Sequence, residues 1–271
     1  MSISGTVTDI HRSVGATLKL TGPSMLMTVD NGQTFVDRIV QELQAILKKK
    51  HPCQQDLGEE GDDIDEELLD ESSEYDWLVI DTAMDCIVGL AAALGESFGE
   101  LWKVFEKDVL RFVSGQEAGE RCSAVGCIAE VVQYMGPAVT KYTDKLLTIL
   151  LKRLGDEDKD TKANAMYAIG MLCEKSDDVN KIKAQYNRIL GTLEPVLDSG
   201  ATASSRVLDN AAGCVSRMIK RHPDAVPLAE VLPALLGILP VKEDYEENTP
   251  AFEAIVQLCK LPYHLRTPMI Y

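Results

Sequence analysis

The chain has 271 residues, 43 acidic and 27 basic, and a formal net charge of −16. Twelve of the acids fall in one stretch, residues 56–76 (DLGEEGDDIDEELLDESSEYD), with no Lys or Arg among them; the remaining 31 acids face 27 bases, an ordinary surface. Such a charge balance repels DNA, RNA and anionic lipid and favours basic partners, while 45% hydrophobic residues are enough for a sizeable core.

Residues 1–50 carry the first helical periodicity, ending in the small basic cluster Lys48, Lys49 and Lys50, which is expected to complement a helix C-terminus and to hold the acidic loop nearby. Met1 leads straight into that periodicity, and the chain stops soon after a helical segment, so a piece of a longer protein is expected. No secretory apolar segment precedes the pattern, and no apolar run is expected to reach the roughly 18 residues that span a bilayer.

Residues 51–76 follow as an acidic flexible loop, rich in Glu59, Glu60, Asp62, Asp63, Asp65, Glu66 and Glu67, with a short helix expected at Leu68 and Leu69. It is not a calcium loop: Asp63 and Asp65 have the first spacing, but no Gly or terminal Glu follows in register.

From residue 77 to 261 apolar residues recur at helical spacing almost throughout. In AVTKYTDKLLTILLKRLG, Val139, Tyr142, Leu146, Leu147, Leu150 and Leu154 form one face. Breakers fall at Gly95, Gly115, Gly136-Pro137, Gly155, Ser199-Gly200, Pro223 and Pro240. Ser97 with Glu100 suits a capping box, and His222-Pro223 a helix C-terminus. Residues 262–271 form a tail without a clear pattern.

The helices are of two kinds. Segments near 97–114, 138–154, 179–198 and 227–239 are rich in Leu, Val and Ile. Segments near 77–94, 117–135, 160–175, 203–221 and 248–260 carry Ala, Gly and Cys at contact positions. The second kind repeats: RCSAVGCIAEVVQYM, KANAMYAIGMLCEK, LDNAAGCVSRMIK and TPAFEAIVQLCK. Gly126, Gly170 and Gly213 stand 44 and 43 residues apart, a period that belongs to HEAT or armadillo arrays rather than to 34-residue tetratricopeptides. The expected fold is all-α, a HEAT-repeat α-α superhelix or solenoid, with the second kind of helix facing inward; a non-repetitive helical bundle is the alternative.

The seven cysteines are scattered and the four histidines do not cluster with them, so reduced core thiols are expected and no metal site. No Gly-rich phosphate loop, HExxH or GxSxG occurs, so neither an enzyme nor a cofactor is expected.

The stretches GERCSAVGCIAEVVQYMG, DTKANAMYAIGMLCEK, RVLDNAAGCVSRMI and LPVKEDYEE, with an acidic loop ahead of EYDWLVIDTAMDCIVGLAAALG, resemble the C-terminal part of the importin-beta family of nuclear import receptors, its importin-4-like branch in particular. The resemblance covers nearly the whole chain and is firmest over Glu74–Leu261. It implies a carrier shuttling between cytoplasm and nucleus, binding basic cargo such as histones three and four and ribosomal proteins. Ran-GTP and Phe-Gly nucleoporins would be partners of the complete receptor.

A cargo lysine needs carboxylates, amide or carbonyl oxygens, and an apolar or aromatic wall for its stem. Inner-helix positions supply these at Asn210, Glu246 and Glu247, and further at Asp209, Asn164 and Tyr167; the resemblance implies that such acids and amides grip cargo. Asp244 with Glu247 also fits a helix cap, and Asn164 an interhelical amide ladder. Two other readings are a HEAT scaffold for complex assembly and a histone chaperone acting through the acidic loop.

Overall fold

The computed structural model describes residues 3–27, 29, 30, 32–54, 66–198 and 204–260. The tail, and Glu59, Glu60, Asp62, Asp63 and Asp65 of the acidic stretch, lie outside the described residues. The chain divides into two compact units, Met1–Met135 and Gly136–Tyr271.

In the first unit, α1 (Ile3–Thr21), α3 (Glu66–Leu94) and α5 (Ala118–Met135) form one layer, and α2 (Phe35–Leu47) and α4 (Phe98–Val113) the other. A two-residue hairpin, Val29–Asp30 with Gln33–Thr34, is the only strand pairing among the described residues. Thr34 then caps α2 by accepting from the Asp37 amide while the Asp37 carboxylate accepts from the Thr34 backbone, so both orphan donors are satisfied.

The layer α1-α3-α5 is parallel. Cys86 Sγ on α3 donates to His11 O on α1, and Ser123 Oγ on α5 to Asp81 Oδ1 on α3 at 2.6 Å. The crossing of α1 and α3 is backbone on backbone. A Cβ added at Gly89 would stand 2.7 Å from Gly15 O and 2.8 Å from its Cα, so only glycine admits this approach. In the other layer α4 buries Phe98, Trp102 and Phe105 completely, with Phe98 centred 6.4 Å from each of the other two rings. Each such ring contributes of the order of 2–3 kcal/mol by leaving water.

The second unit repeats the plan. The layer α7 (Lys159–Lys175), α10 (Ser205–Arg221) and α12 (Asn248–Lys260) packs on α6 (Thr143–Arg153), α9 (Tyr186–Asp198) and α11 (Leu228–Ile238), with the short α8 (Val179–Ala184) leading into α9. The face read from the sequence is buried at every position: Val139, Tyr142, Leu146, Leu147, Leu150 and Leu154.

Three expectations change. First, α3 starts at Glu66, so Glu66, Glu67 and the residues through Asp76 are helical backbone rather than loop. Second, Ser97 makes no side-chain cap; its backbone is already helical, and Glu100 turns to Lys103 instead. Third, two stretches, Trp77–Val113 and Ala118–Arg153, do have the length and hydropathy to cross a bilayer. Their most apolar windows are 67% and 50% buried in the fold, and turns of 3-10 helix at Gly95–Ser97 and Gly136–Tyr142 interrupt them, so their apolar surface serves the core.

Candidate functional site

In the second unit the sequence-predicted positions do converge on the face formed by α7, α10 and the turn before α12, but most of their polar groups are already engaged. Asp209 is 1% exposed. Its carboxylate accepts the amides of Lys242, Glu243 and Asp244 at 2.7–3.2 Å, closing the loop that leads into α12. Asn210, also buried, donates to Arg206 O and to Asp244 Oδ2 at 2.9 and 3.1 Å. Asp244 therefore does not cap the 3-10 turn Tyr245–Glu247 with its side chain.

Glu247 is 1% exposed and grips Arg217 in a fork, at 2.5 Å to Nη1 and 2.9 Å to Nη2. The Arg217 guanidinium also lies 3.3 Å from Glu174 and 5.1 Å from the centre of the Tyr167 ring. Burial works against this cation, yet its hydrogen bonds to Glu247 outweigh that and hold it above its ordinary pKa. The repeat glycines make the arrangement possible. A Cβ at Gly213 would fall 1.3 Å from Glu247 Oε2, and one at Gly170 2.9 Å from Cys214 Cα. Asn164 accepts from Arg206 Nη2 at 2.9 Å, and Arg206 Nη1 lies 2.6 Å from Asp160.

The protein's own arginines thus fill the cation positions that Asn164, Tyr167 and Glu247 offer. Asp209, Asn210 and Glu247 are buried, and the hydrogen bonds described above tie each of them to the protein itself. Glu246 stays at the surface, beside Glu243 and Tyr245, whose ring is 70% exposed.

The first unit holds a cluster the sequence reading passed over. Asp81 and Asp85 on α3 and Glu130 on α5 crowd the corresponding face. Lys19 on α1 reaches Glu130 at 3.2 Å, and Ser123 serves Asp81. Partial burial, then the charges of Asp81 and Glu130, push the Asp85 carboxyl above its ordinary value; Lys19 and Arg12 offset this only in part. A signal was present in VIDTAMDC: two acids four residues apart share one helix face and repel.

The helices of the Ala-, Gly- and Cys-rich kind begin at Ala118, Lys159, Ser205 and Asn248, spacings of 41, 46 and 43 residues. That spacing and the two-layer stacking define a HEAT-repeat solenoid, a class that binds through surfaces. The crystal structure of the karyopherin Kap121p bound to the SUMO protease Ulp1p has this fold: it superposes with a TM-score of 0.67 at 13% identity, covering 95% of this chain and 23% of that one.

Residues 25–211 match the family described as Importin subunit beta-1-like, TPR repeats. The chain is 34% identical to the Probable importin subunit beta-4 of Schizosaccharomyces pombe over 82% of its length, and 32% identical to human Importin-4 over 91%. It belongs to the importin-beta family. It spans 21% of the length of each of these two relatives.

Proposed function

We propose that this chain is the part of a nuclear import receptor that holds lysine-rich cargo, histone tails and ribosomal proteins among it, on the inner-helix face of its HEAT array. What carries the reading is the under-neutralised cluster of Asp81, Asp85 and Glu130. Three carboxylates share Lys19 and the more distant Arg12, and an incoming ammonium would relieve their repulsion. A second contact point is the turn bearing Glu243, Tyr245 and Glu246, where an exposed ring stands beside free-facing carboxylates and offers a wall for a lysine stem. Asn164 and Tyr167 would join only if cargo displaces Arg206 or Arg217.

The complete receptor would release its cargo to Ran-GTP and shuttle between cytoplasm and nucleus. The layer of α9 and α11 would offer Phe-Gly repeats a groove of about 270 Å³, lined by Leu190, Leu197, Val231 and Ala234 together with Asn187, Glu194, Asp198 and Glu230.

The test is fluorescence anisotropy of a labelled lysine-rich histone-three tail peptide at two salt concentrations. The proteins are wild type, the double change Asp85→Asn with Glu130→Gln, Glu246→Ala, and a deletion of residues 56–76. The double change should weaken binding about tenfold, a loss of about 1.4 kcal/mol, mostly through a faster off-rate. Glu246→Ala should weaken it less, and the deletion should mainly slow association at low salt. If the double change leaves affinity intact while the deletion abolishes it, the acidic stretch is the binding element and the chaperone reading replaces this one.

A further inference from the structure

Glu42, His51 and Cys53 form a chain of three side chains that cargo binding does not use. α2 ends in a Schellman turn: the Lys49 amide bonds to Ile46 O at 2.8 Å and the Lys50 amide to Ala45 O at 2.9 Å. Lys49 sits at φ 55°, a conformation a lysine adopts only at a cost, and this swings the chain back over α2. His51 thereby returns to Glu42, with Nε2 at 3.2 Å from Oε2. Its other nitrogen, Nδ1, is 2.8 Å from Cys53 Sγ and accepts the Cys53 backbone amide at 3.2 Å.

That backbone amide settles the tautomer. Nδ1 must carry a lone pair to accept an N–H, so the ring proton sits on Nε2 and points at Glu42. The thiol then faces a base whose far side is anchored by a carboxylate, the order of groups that activates a sulfur nucleophile. The other thiols differ. Cys86, Cys127, Cys173 and Cys214 are buried, and burial pushes all four above the ordinary thiol range. Cys122 is half-buried, as Cys53 is, and Cys259 is exposed.

We infer that Cys53 is a reactive thiol, activated by His51 and Glu42, and a site of oxidation by hydroperoxides and of alkylation by soft electrophiles. With a hydroperoxide ROOH, the Cys53 thiol proton passes to Nδ1, which then lets go of the Cys53 amide, and the sulfur attacks the hydroxyl-bearing peroxide oxygen. The S–O bond forms as the O–O bond breaks, and the departing alkoxide takes the proton from the imidazolium as ROH. The sulfur is oxidised by two electrons to a sulfenic acid, and the peroxide is reduced to the alcohol, or to water from hydrogen peroxide. The thiol lies three residues before the acidic stretch, so a modification there would alter the base of the polyanion.

The full chain is exposed to iodoacetamide, and separately to hydrogen peroxide followed by dimedone, with each cysteine's labelling followed over time by peptide mass spectrometry. Cys53 should label at least about tenfold faster than the exposed Cys259 in both reactions. His51→Gln should bring Cys53 down to the Cys259 rate, and Glu42→Gln should remove part of the excess while leaving the imidazole in place. Circular dichroism of both variants checks folding, and labelling in denaturant should equalise all seven cysteines. A Cys53 no faster than Cys259 in the folded wild type overturns the inference, as does a folded His51→Gln variant that labels at the wild-type rate. Neither outcome bears on peptide binding by the Asp81, Asp85 and Glu130 cluster, so the two proposals stand or fall separately.

Discussion

In each unit the layer of Ala-, Gly- and Cys-rich helices carries acids, and the two layers differ in how that charge is balanced. In the second, Arg217 and Arg206 are built into the face, and Glu247, Glu174, Asp160 and Asn164 are spent on them. In the first, Asp81, Asp85 and Glu130 have one direct lysine partner between them among the described contacts, and they disturb one another. A carboxylate on this layer is therefore no guide to binding by itself. What matters is whether the same layer supplies the counter-charge. The self-neutralised face is held by its own ion pairs, and the under-neutralised one is where the proposed cargo ammonium would gain most.

The largest effect expected from this contrast is on stability in the second unit. Arg217→Ala should lower the unfolding free energy by about 3–5 kcal/mol, because Glu247 would stay buried with an uncompensated charge. The paired change Arg217→Met with Glu247→Leu should cost far less, since it removes both charges and keeps volume. Urea unfolding of the three proteins checks this. If Arg217→Ala is nearly neutral, the fork does not lock the face, and Glu247 becomes available to cargo after all. Removing Asp85 in the first unit should show no comparable loss.

A smaller loss separates the two units by how their helices touch. Gly89→Ala sets a methyl group against the Gly15 backbone, where nothing can rotate aside, and should cost about 1–3 kcal/mol. Gly213→Ala meets a side chain, the Glu247 carboxylate, which must then let go of Arg217. Its cost should be strongly non-additive with Glu247→Gln, whereas Gly89→Ala should add simply to any change in the second unit. Thermal unfolding of the single and double variants measures both.

The fold was legible because it rests on period. Apolar spacing gave the helices, and a recurrence near 43 residues gave the stacking; both are local or quasi-repetitive. The roles of Asp209, Asn210 and Glu247 were not legible, because their partners lie 30 to 35 residues away on the next element. Sequence places an acid at the head of a helix but cannot say whether an arginine from the neighbouring repeat reaches it. Arg217 sits in SRMIK without any mark of burial, and only Gly213, whose missing Cβ makes room for the carboxylate, hinted that something must fill that space. In the first unit the clue was local after all: Asp81 and Asp85 repel at one helical turn.

The smallest effect carries the sharpest sign. Asp85 has a folded pKa above its ordinary 3.8, so the folded state holds this proton more tightly than the unfolded chain does. Ionising it costs stability: the penalty is absent below about pH 4, grows as pH rises through the folded value, and is complete beyond it. Asp224 in the second unit runs the other way. Its hydrogen bond from Lys183 lowers its pKa, so its contribution is present at neutral pH and fades as the solution is acidified. Asp85→Asn should therefore stabilise the protein slightly at pH 7, by an amount that vanishes near pH 3.5, while Asp224→Asn should destabilise it slightly at pH 7 and also converge with wild type in acid. Urea midpoints of the three proteins from pH 3 to 8 at low salt give both signs in one series, and added salt should shrink both. A bound lysine peptide should cancel the Asp85 penalty first, because its ammonium supplies the charge that Lys19 and Arg12 do not. If saturating peptide leaves the difference between Asp85→Asn and wild type at pH 7 unchanged, cargo does not sit on this cluster, and the imbalance is a feature of the bare surface alone.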